Sequence, residues 1–493
     1  GSAINCLGSL MLMDDIVELL PNPAEGNYHK ATKTDGETEE FVVSPGGVPT
    51  AYVFKTISDQ YGKYSFVKVL SGTITPDMPM TNARTGSTEK LGRLYTIRGK
   101  KTTEVKELTC GDIGAIAKMD DIAADLKARG IDSILCVTGG HSYKLTGAWD
   151  YVTAACAKHG IRVSLYDKVT PNPTTDSIDE AAALGRSADA KAVFCIGGGS
   201  PIDAGKSAAI ILAHPGKTAE ELYTFAFTPT KAVPIVVVNL THGTGSEVNR
   251  FAVASITKHN YKPAIAYDCL YPLFSIDDPG LMIKLSPKQT RYVSIDSVNH
   301  VIEAATAVTA NPLSILLAGE TIRLVAEYLP KALANPKDLK ARYCLSYASM
   351  IAGTAFDNGL LHFTHALEHP LSGIKPELAH GLGLSMILPA IIEECYPACS
   401  ATLGTILRPL MPDLKGTPDE AHKAARGVET WLADMGVPQK LEDEGFTEND
   451  IPRLCELTRT TPSLGLLLSV APVPATPERI ERIYRSSLKK MDV

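Results

Sequence analysis

Four apolar runs, 133–138, 161–166, 192–196 and 233–239, constrain most strongly what this chain can fold into. The clearest two, 192–196 and 233–239, are nearly continuous in Ala, Val, Ile, Phe and Cys instead of alternating with polar residues. A strand buried on both faces reads this way. Helical stretches separate the first three runs, and another follows the third at 201–213. Strands alternating with helices in this rhythm predict a parallel sheet covered by helices on both sides. Asp120 suits a helix N-cap and Gly130 a helix end. From about Ser286 strands nearly vanish, and stretches such as 312–328 and 341–358 predict an all-helical second half.

Before residue 119 the texture differs. Runs at 51–58, 64–70 and 94–98 alternate apolar with polar side chains and are broken by Asp59, Gly62, Gly72, Pro76-Asp77 and Gly99. That spacing predicts a small antiparallel barrel or sandwich over 46–118. Residues 1–45 read as an apolar helical stretch, 10–20, followed by a polar linker, 21–45. A length of 493 residues fits two or three such domains.

Charge narrows the function. A net charge of -7 gives no electrostatic reason to expect nucleic acid or an anionic membrane as a partner. The apolar runs fall short of a membrane span. The ten cysteines are scattered singly with no CxxC, and no basic stretch followed by an apolar one opens the chain. A cytoplasmic protein with reduced thiols is the expectation.

Two glycine-rich turns carry the first chemical signal. Gly197-Gly198-Gly199-Ser200 follows the 192–196 strand and opens a helix, with Asp203 one turn further on. Thr241-His242-Gly243-Thr244-Gly245-Ser246-Glu247 follows the 233–239 strand. Glycines there let a backbone approach a pyrophosphate, and a helix N-terminus favours its charge. The first turn is neither GxGxxG nor a P-loop, since Ser200 stands where a P-loop needs its first Gly. Either turn alone reads equally as a tight strand–helix connection; two at strand ends of one sheet favour a dinucleotide crevice.

The second signal is a set of metal-ligating residue types. Asp296 and His300 are four apart, as are His365 and His369, so each pair shares one helical face. His380 follows. Five of the 12 histidines, counting His362, fall between 300 and 380. One carboxylate with three imidazoles suits Fe(II) or Zn(II).

With GGGSPIDAGK at 197–206, THGTGSE at 241–247, DSVNH at 296–300 and HALEHPLSGIKPELAHG at 365–381, the chain from about Asp120 to Arg485 resembles the iron-containing (group III) alcohol dehydrogenases. Pro171-Asn172-Pro173 and Asp277-Asp278-Pro279 fit as well. The resemblance implies a dehydroquinate-synthase-like fold: an α/β NAD(P)-binding domain, 119–283, then an all-α metal-binding domain, 284–493. It implies Asp296, His300, His365 and His380 as ligands of Fe2+, with Zn2+ the other option. It makes His369 the active-site histidine beside the metal, able to shuttle a proton. Gly197, Gly198, Gly199, Ser200 and Asp203 are expected around the pyrophosphate, with Asn172, Thr241, Thr244 and Lys262 completing the cofactor site. The expected substrates are small alcohols and aldehydes, and the expected assembly is a homodimer or higher homo-oligomer.

Two positions depart from the family pattern. His242 replaces a small residue in the second glycine turn. After the first parallel strand, Gly139-Gly140-His141-Ser142 lacks the carboxylate that meets ribose hydroxyls in NAD-preferring members, so Gly139 and Ser142 are read as contacts to an NADP(H) cofactor in preference to NAD(H).

The first 118 residues are similar to something unrelated. Gly1-Ser-Ala-Ile-Asn, Val53-Phe-Lys-Thr-Ile-Ser-Asp59, Val69-Leu-Ser-Gly-Thr73, Gly92-Arg-Leu-Tyr95 and Gly111-Asp-Ile113 resemble translation elongation factor G: the tail of its GTPase domain and its β-barrel second domain. The nucleotide-binding motifs of that GTPase are absent, as is the dehydrogenase family's own N-terminal hairpin, whose place a strand at 112–117 could take. The chain thus reads as a chimera. Two other readings stand beside this one: a glycerol dehydrogenase or dehydroquinate-synthase-type lyase using zinc on the same fold, and a translation-factor fragment carrying a passenger dehydrogenase.

Overall fold

The alternating apolar runs of the first 118 residues give way to continuous ones beyond them. The computed structural model describes residues 29–32, 38–41, 44–59, 62–76, 78–81, 88–92, 94–98, 101–118 and 121–492. Its contacts separate into two units, Gly1–Asp121 and Ile122–Val493.

In the first unit, β1 (Thr50–Asp59), β2 (Gly62–Ser71), β3 (Leu94–Arg98), β4 (Lys101–Val105) and β5 (Ile113–Lys118) form one antiparallel sheet in the order β1-β2-β5-β3-β4. Val67, Val69, Ile74, Leu94 and Leu108 make its core. Strand β5 pairs with β2 on one side and β3 on the other, so both its edges are taken inside its own unit. The helix expected over 10–20 lies outside the described residues. The linker expected over 21–45 instead contains an antiparallel pair, His29–Thr32 with Thr38–Phe41. These strands are too polar to give a period-two signal.

The second unit opens with α1 (Asp121–Ala128) and builds a five-stranded parallel sheet: β6 (Ser133–Gly139), β7 (Arg162–Val169), β8 (Ala192–Gly197), β9 (Ile235–Asn239) and β10 (Phe274–Asp277). Helices α2 (Ala148–Lys158), α3 (Thr175–Ser187) and α4 (Gly199–Ala213) connect them. Ile134, Cys136, Phe194, Ile196, Val236 and Val238 face α1 and α2 through Leu126, Val152 and Cys156. Their neighbours Leu135, Val137, Val193, Cys195 and Val237 face α3 and α4 through Ile178, Ala182 and Ala208. Both faces bury apolar side chains, each contributing roughly 1.5–3 kcal/mol, which is why the strands read as continuous runs. Strand β10 escaped the sequence reading because it is a half-buried edge strand of four residues.

The sheet order is β7-β6-β8-β9-β10. From β6 the chain moves outward to β7, then returns to β8 on the other side. A crevice opens beyond the strand C-termini at this reversal. The 139–142 and 197–200 turns end the two strands that flank it.

Helices form the rest: α5 (Pro287–Thr306), α6 (Pro312–Ala334), α7 (Leu339–Gly359), α8 (Phe363–Ile374) and α9 (His380–Ile406), followed by shorter ones. Ser286 caps α5, its Oγ accepting from Gln289 N at 3.1 Å, with Pro287 in the first turn. Helix α5 is buried nearly all round. The polar groups it carries inward, Asp296, Asn299, His300 and Glu303, must therefore find partners. Helix α9 is long and apolar enough to cross a membrane by length and composition, which the sequence reading did not anticipate. Most of it is buried inside this helical layer.

Candidate functional site

A cavity of ≈ 590 Å³ lies between the strand C-termini and the helical layer. Gly139, Ser142, Asn172, Gly198, Gly199, Ser200, Asp203, Thr241, Thr244 and Lys262 line its α/β side, and Asp296, His300, His365, His369 and His380 its helical side. Gly197 is the one expected residue that does not line it: its Cα faces the Pro201 ring, 2.5 Å from where a Cβ would stand.

On the helical side, Asp296, His300 and His365 bring donor atoms within 4.8 Å of one another, and so do Glu368, His369 and His380. The His300 and His365 rings stack at 4.6 Å between centroids, and His365 and His380 lie 5.4 Å apart. Asp296 Oδ1 stands 3.5 Å from His300 Nε2 and 3.7 Å from His365 Nε2. Asp296 Oδ1 and His365 Nε2 are buried without a hydrogen-bond partner, as is His369 Nδ1. Buried polar atoms are rarely left so.

Two carboxylates that the sequence reading missed complete the cluster. Glu303, seven residues after Asp296 on the same helical face, accepts backbone N–H bonds from His362 (3.0 Å), Thr364 (2.7 Å) and His365 (3.3 Å). It thereby caps α8 from a neighbouring helix. Its other oxygen holds His365 Nδ1. Glu368 holds His380 Nδ1 and accepts from Lys262 Nζ at 3.2 Å. Each contact engages Nδ1, leaving Nε2 of His365 and His380 as the free ring nitrogen.

Charge agrees with this geometry. Burial opposes ionisation of Asp296, Glu303 and Glu368, yet the surrounding histidines, and for Glu368 also Lys262, hold all three below the ordinary carboxylate range, Glu303 at about 2. Burial likewise opposes the charged form of His365, but Glu303 and Asp296 lift it to about 9. Burial takes His300 down to about 4, and, with the Lys262 charge, His369 well below its usual value. Three carboxylates against the Lys262 ammonium and a protonated His365 leave one net negative charge in the buried cluster, and two once His365 gives up its proton to become a ligand. A divalent cation balances them, and the donor set of one carboxylate and three imidazoles suits iron or zinc.

On the α/β side the two glycine turns pack against each other. A Cβ at Gly198 would lie 2.8 Å from Thr241 Cγ2, and one at Gly199 2.6 Å from Thr244 Cγ2. Only glycine permits this approach. Asp203 accepts from Ser246 Oγ (2.8 Å) and Val253 N (3.1 Å), and burial raises it to about 6. Lys206 is fully buried and donates to Asn249 O, Phe251 O and Ser246 Oγ at 2.8, 3.0 and 3.2 Å. Burial lowers it to about 8 against the pull of Asp203. These two residues tie α4 to the 246–253 segment beneath the cavity.

Asn172 and Lys262 reach across the cleft. Asn172 Nδ2 donates to Pro376 O (2.9 Å) and Leu378 O (3.3 Å), while Lys262 contacts Glu368 and, at 3.3 Å, His380 Nδ1. His242 does not line the cavity; it is enclosed between Ser294 and Arg342. His362 bonds Thr306 Oγ1 at 2.9 Å behind the site.

The family model for iron-containing alcohol dehydrogenases matches residues 111–279, and that for the C-terminal part of the Fe-containing family matches 290–488. Residues 49–125 match elongation factor G domain 2. The chain is 56% identical to the long-chain primary alcohol dehydrogenase of Thermoanaerobacter ethanolicus over 80% of its own length and 98% of that protein. It is 34% identical to the 1,3-propanediol dehydrogenase of Klebsiella pneumoniae over 63% of its own length and 80% of the relative. The crystal structure of the NADH-dependent butanol dehydrogenase A of Thermotoga maritima superposes with a TM-score of 0.70 at 27% identity, covering 75% of this chain and 95% of that one.

Proposed function

The chain belongs to the iron-containing alcohol dehydrogenase family, and on that premise we propose that it interconverts long-chain primary alcohols and aldehydes with NADP(H), using Fe2+ held by Asp296, His300, His365 and His380. The observation that carries this reading is the opening of both glycine turns and the buried, net-negative His/carboxylate cluster onto one cavity. When bound, the ion supplies a Lewis acid for the substrate oxygen, and the nicotinamide takes or gives the hydride.

The chain's own residues do the rest. The Gly198 and Gly199 backbone at the start of α4 receives the pyrophosphate, and the crevice fixes the distance to the reacting carbon. Gly140 and Ser142 receive the adenosine end, where the 139–142 turn offers backbone N–H and hydroxyl donors and itself carries no carboxylate. A 2′-phosphate is favoured there. His369 opens on the cavity as a neutral ring, so it can pass a proton but not store one.

For the substrate tail, Phe356 stacks on His300 at 4.5 Å and touches Phe251 at 5.4 Å. Leu360, Leu361, Leu467 and Val470 extend this apolar wall. Leu360 holds a left-handed φ of 65° while its N–H bonds Phe356 O at 2.7 Å. Such strain in a bulky residue collects at functional sites. The wall suits an aliphatic chain leading away from the ligands. NADPH oxidation with butanal and decanal, with and without added Fe(II), tests the reading. Iron-dependent turnover favouring decanal is expected; metal-independent turnover, or none with either aldehyde, overturns it.

A further inference from the structure

We propose that Lys262 and Glu368 are positioning residues that aim His380 at the metal, so that a lysine of the nucleotide-binding half controls metal affinity. The inference rests on the metal-site reading above and goes beyond it by giving Lys262 a second role, at the metal site.

Asp296, His300 and His365 sit on α5 and α8, whose flanks are packed into the helical core. His380 differs. It begins α9 directly after the 375–379 loop, and its side chain is 28% exposed where those of His300 and His365 are 6% and 4%. Packing alone does not hold it. Glu368, one turn along α8 from His365, holds His380 Nδ1 and is itself fully buried. Its Oε1 is held by Ser372 Oγ, and its Oε2 accepts from Lys262 at 3.2 Å. Lys262 is 5% exposed and comes from the segment leading into Ala264–Ala266 on the α/β side. Asn172, also on that side, fastens Pro376 and Leu378 of the same loop.

A metal-bound imidazole needs its distal nitrogen fixed so that the other points at the ion, and losing such a partner typically lowers metal affinity 10–100-fold. Glu368 fixes Nδ1 of His380. Lys262 fixes Glu368 and offsets its charge, because a buried carboxylate without a counter-charge is strongly unfavourable. Lys262 Nζ is thus engaged by the helical half, while Lys262 also lines the cavity wall and keeps an N–H donor for a cofactor.

The test uses the full chain and Lys262→Met and Glu368→Gln variants. Iron and cobalt affinity are measured by equilibrium dialysis against a chelator, and the KM for NADPH is taken at saturating metal. Both variants are expected to bind metal about 10–100-fold more weakly, with altered Co(II) d–d absorption, and Glu368→Gln to keep an NADPH KM close to wild type. Glu368→Gln nearly preserves volume, so it remains informative if Lys262→Met fails to fold. A raised NADPH KM with unchanged metal affinity and cobalt spectrum in Lys262→Met would overturn the proposal and leave Lys262 a cofactor residue alone. Unchanged metal affinity in Glu368→Gln would also overturn it. Failure of the wild-type chain to bind a divalent metal would instead overturn the underlying metal-site reading.

Discussion

Arg342 Nη1 donates to His242 Nε2 at 2.9 Å in the interior beneath the second glycine turn, and both side chains are fully buried. Nε2 accepts, so Nδ1 carries the proton and donates to Ser294 Oγ at 3.2 Å. The same guanidinium bonds Thr290 Oγ1 (2.9 Å) and Pro336 O (3.0 Å). His242 is therefore a neutral brace joining the turn to α5 and α7. Replacing it with Ala strands a buried donor and should cost about 1–3 kcal/mol, read by urea denaturation, with metal content unchanged.

The brace also sets a pH dependence. Burial, then the Arg342 charge, depresses His242 from 6.5 to about 3. Between those values the unfolded chain binds the proton and the folded chain does not, so stability is full above pH 6.5 and falls as pH drops through the window. One such group contributes a slope of up to about 1.4 kcal/mol per pH unit. His242→Gln keeps an acceptor for Arg342 and a donor for Ser294 without titrating. Denaturation between pH 7 and 5 should show a shallower acid loss in this variant; an unchanged slope would mean His242 does not titrate on unfolding.

Cofactor choice is tested at the turn after β6. A Cβ at Gly139 would stand 3.2 Å from Val169 O, whereas at Gly140 nothing lies within 4 Å. Gly140→Asp is thus the better probe of ribose recognition. The wild-type chain should show higher kcat/KM with NADPH, and Gly140→Asp should shift it toward NADH. Equal or better use of NADH by the wild type refutes the preference.

The elongation-factor-like unit has its own sheet and core, and β5 is paired on both sides within it. Deleting residues 1–45 should leave alcohol oxidation nearly intact. A large loss of activity, with circular dichroism showing the remainder folded, would tie the unit to catalysis.

Leu467 lines the apolar wall. Leu467→Phe should fill part of that wall and cut kcat/KM for decanol about 10-fold relative to ethanol. An equal effect on both alcohols would place the tail elsewhere.

What the chain disclosed before folding follows from physical range. The parallel sheet was legible because burial on both faces leaves runs such as 192–196 apolar throughout. Asp296, His300, His365 and His369 were legible because helical spacing alone pairs them. Glu303 and Glu368 carry the same signal, seven residues after Asp296 and three after His365, but a helical glutamate usually faces water. Only tertiary packing turns these two inward. Asn172 and Lys262 illustrate the opposite limit. Their place beside the crevice was implied by the family resemblance alone, and their side-chain partners, Pro376, Leu378 and Glu368, lie more than a hundred residues away.

The central claim is that Asp296, His300, His365 and His380 hold the divalent ion on which turnover depends. Elemental analysis of iron-loaded wild-type and His365→Ala protein, paired with NADPH-dependent aldehyde reduction on the same samples, tests it most directly. Near-stoichiometric metal and activity in the wild type, with both lost in folded His365→Ala, is the predicted result. Full metal occupancy in His365→Ala, or wild-type activity without any bound divalent metal, would contradict it.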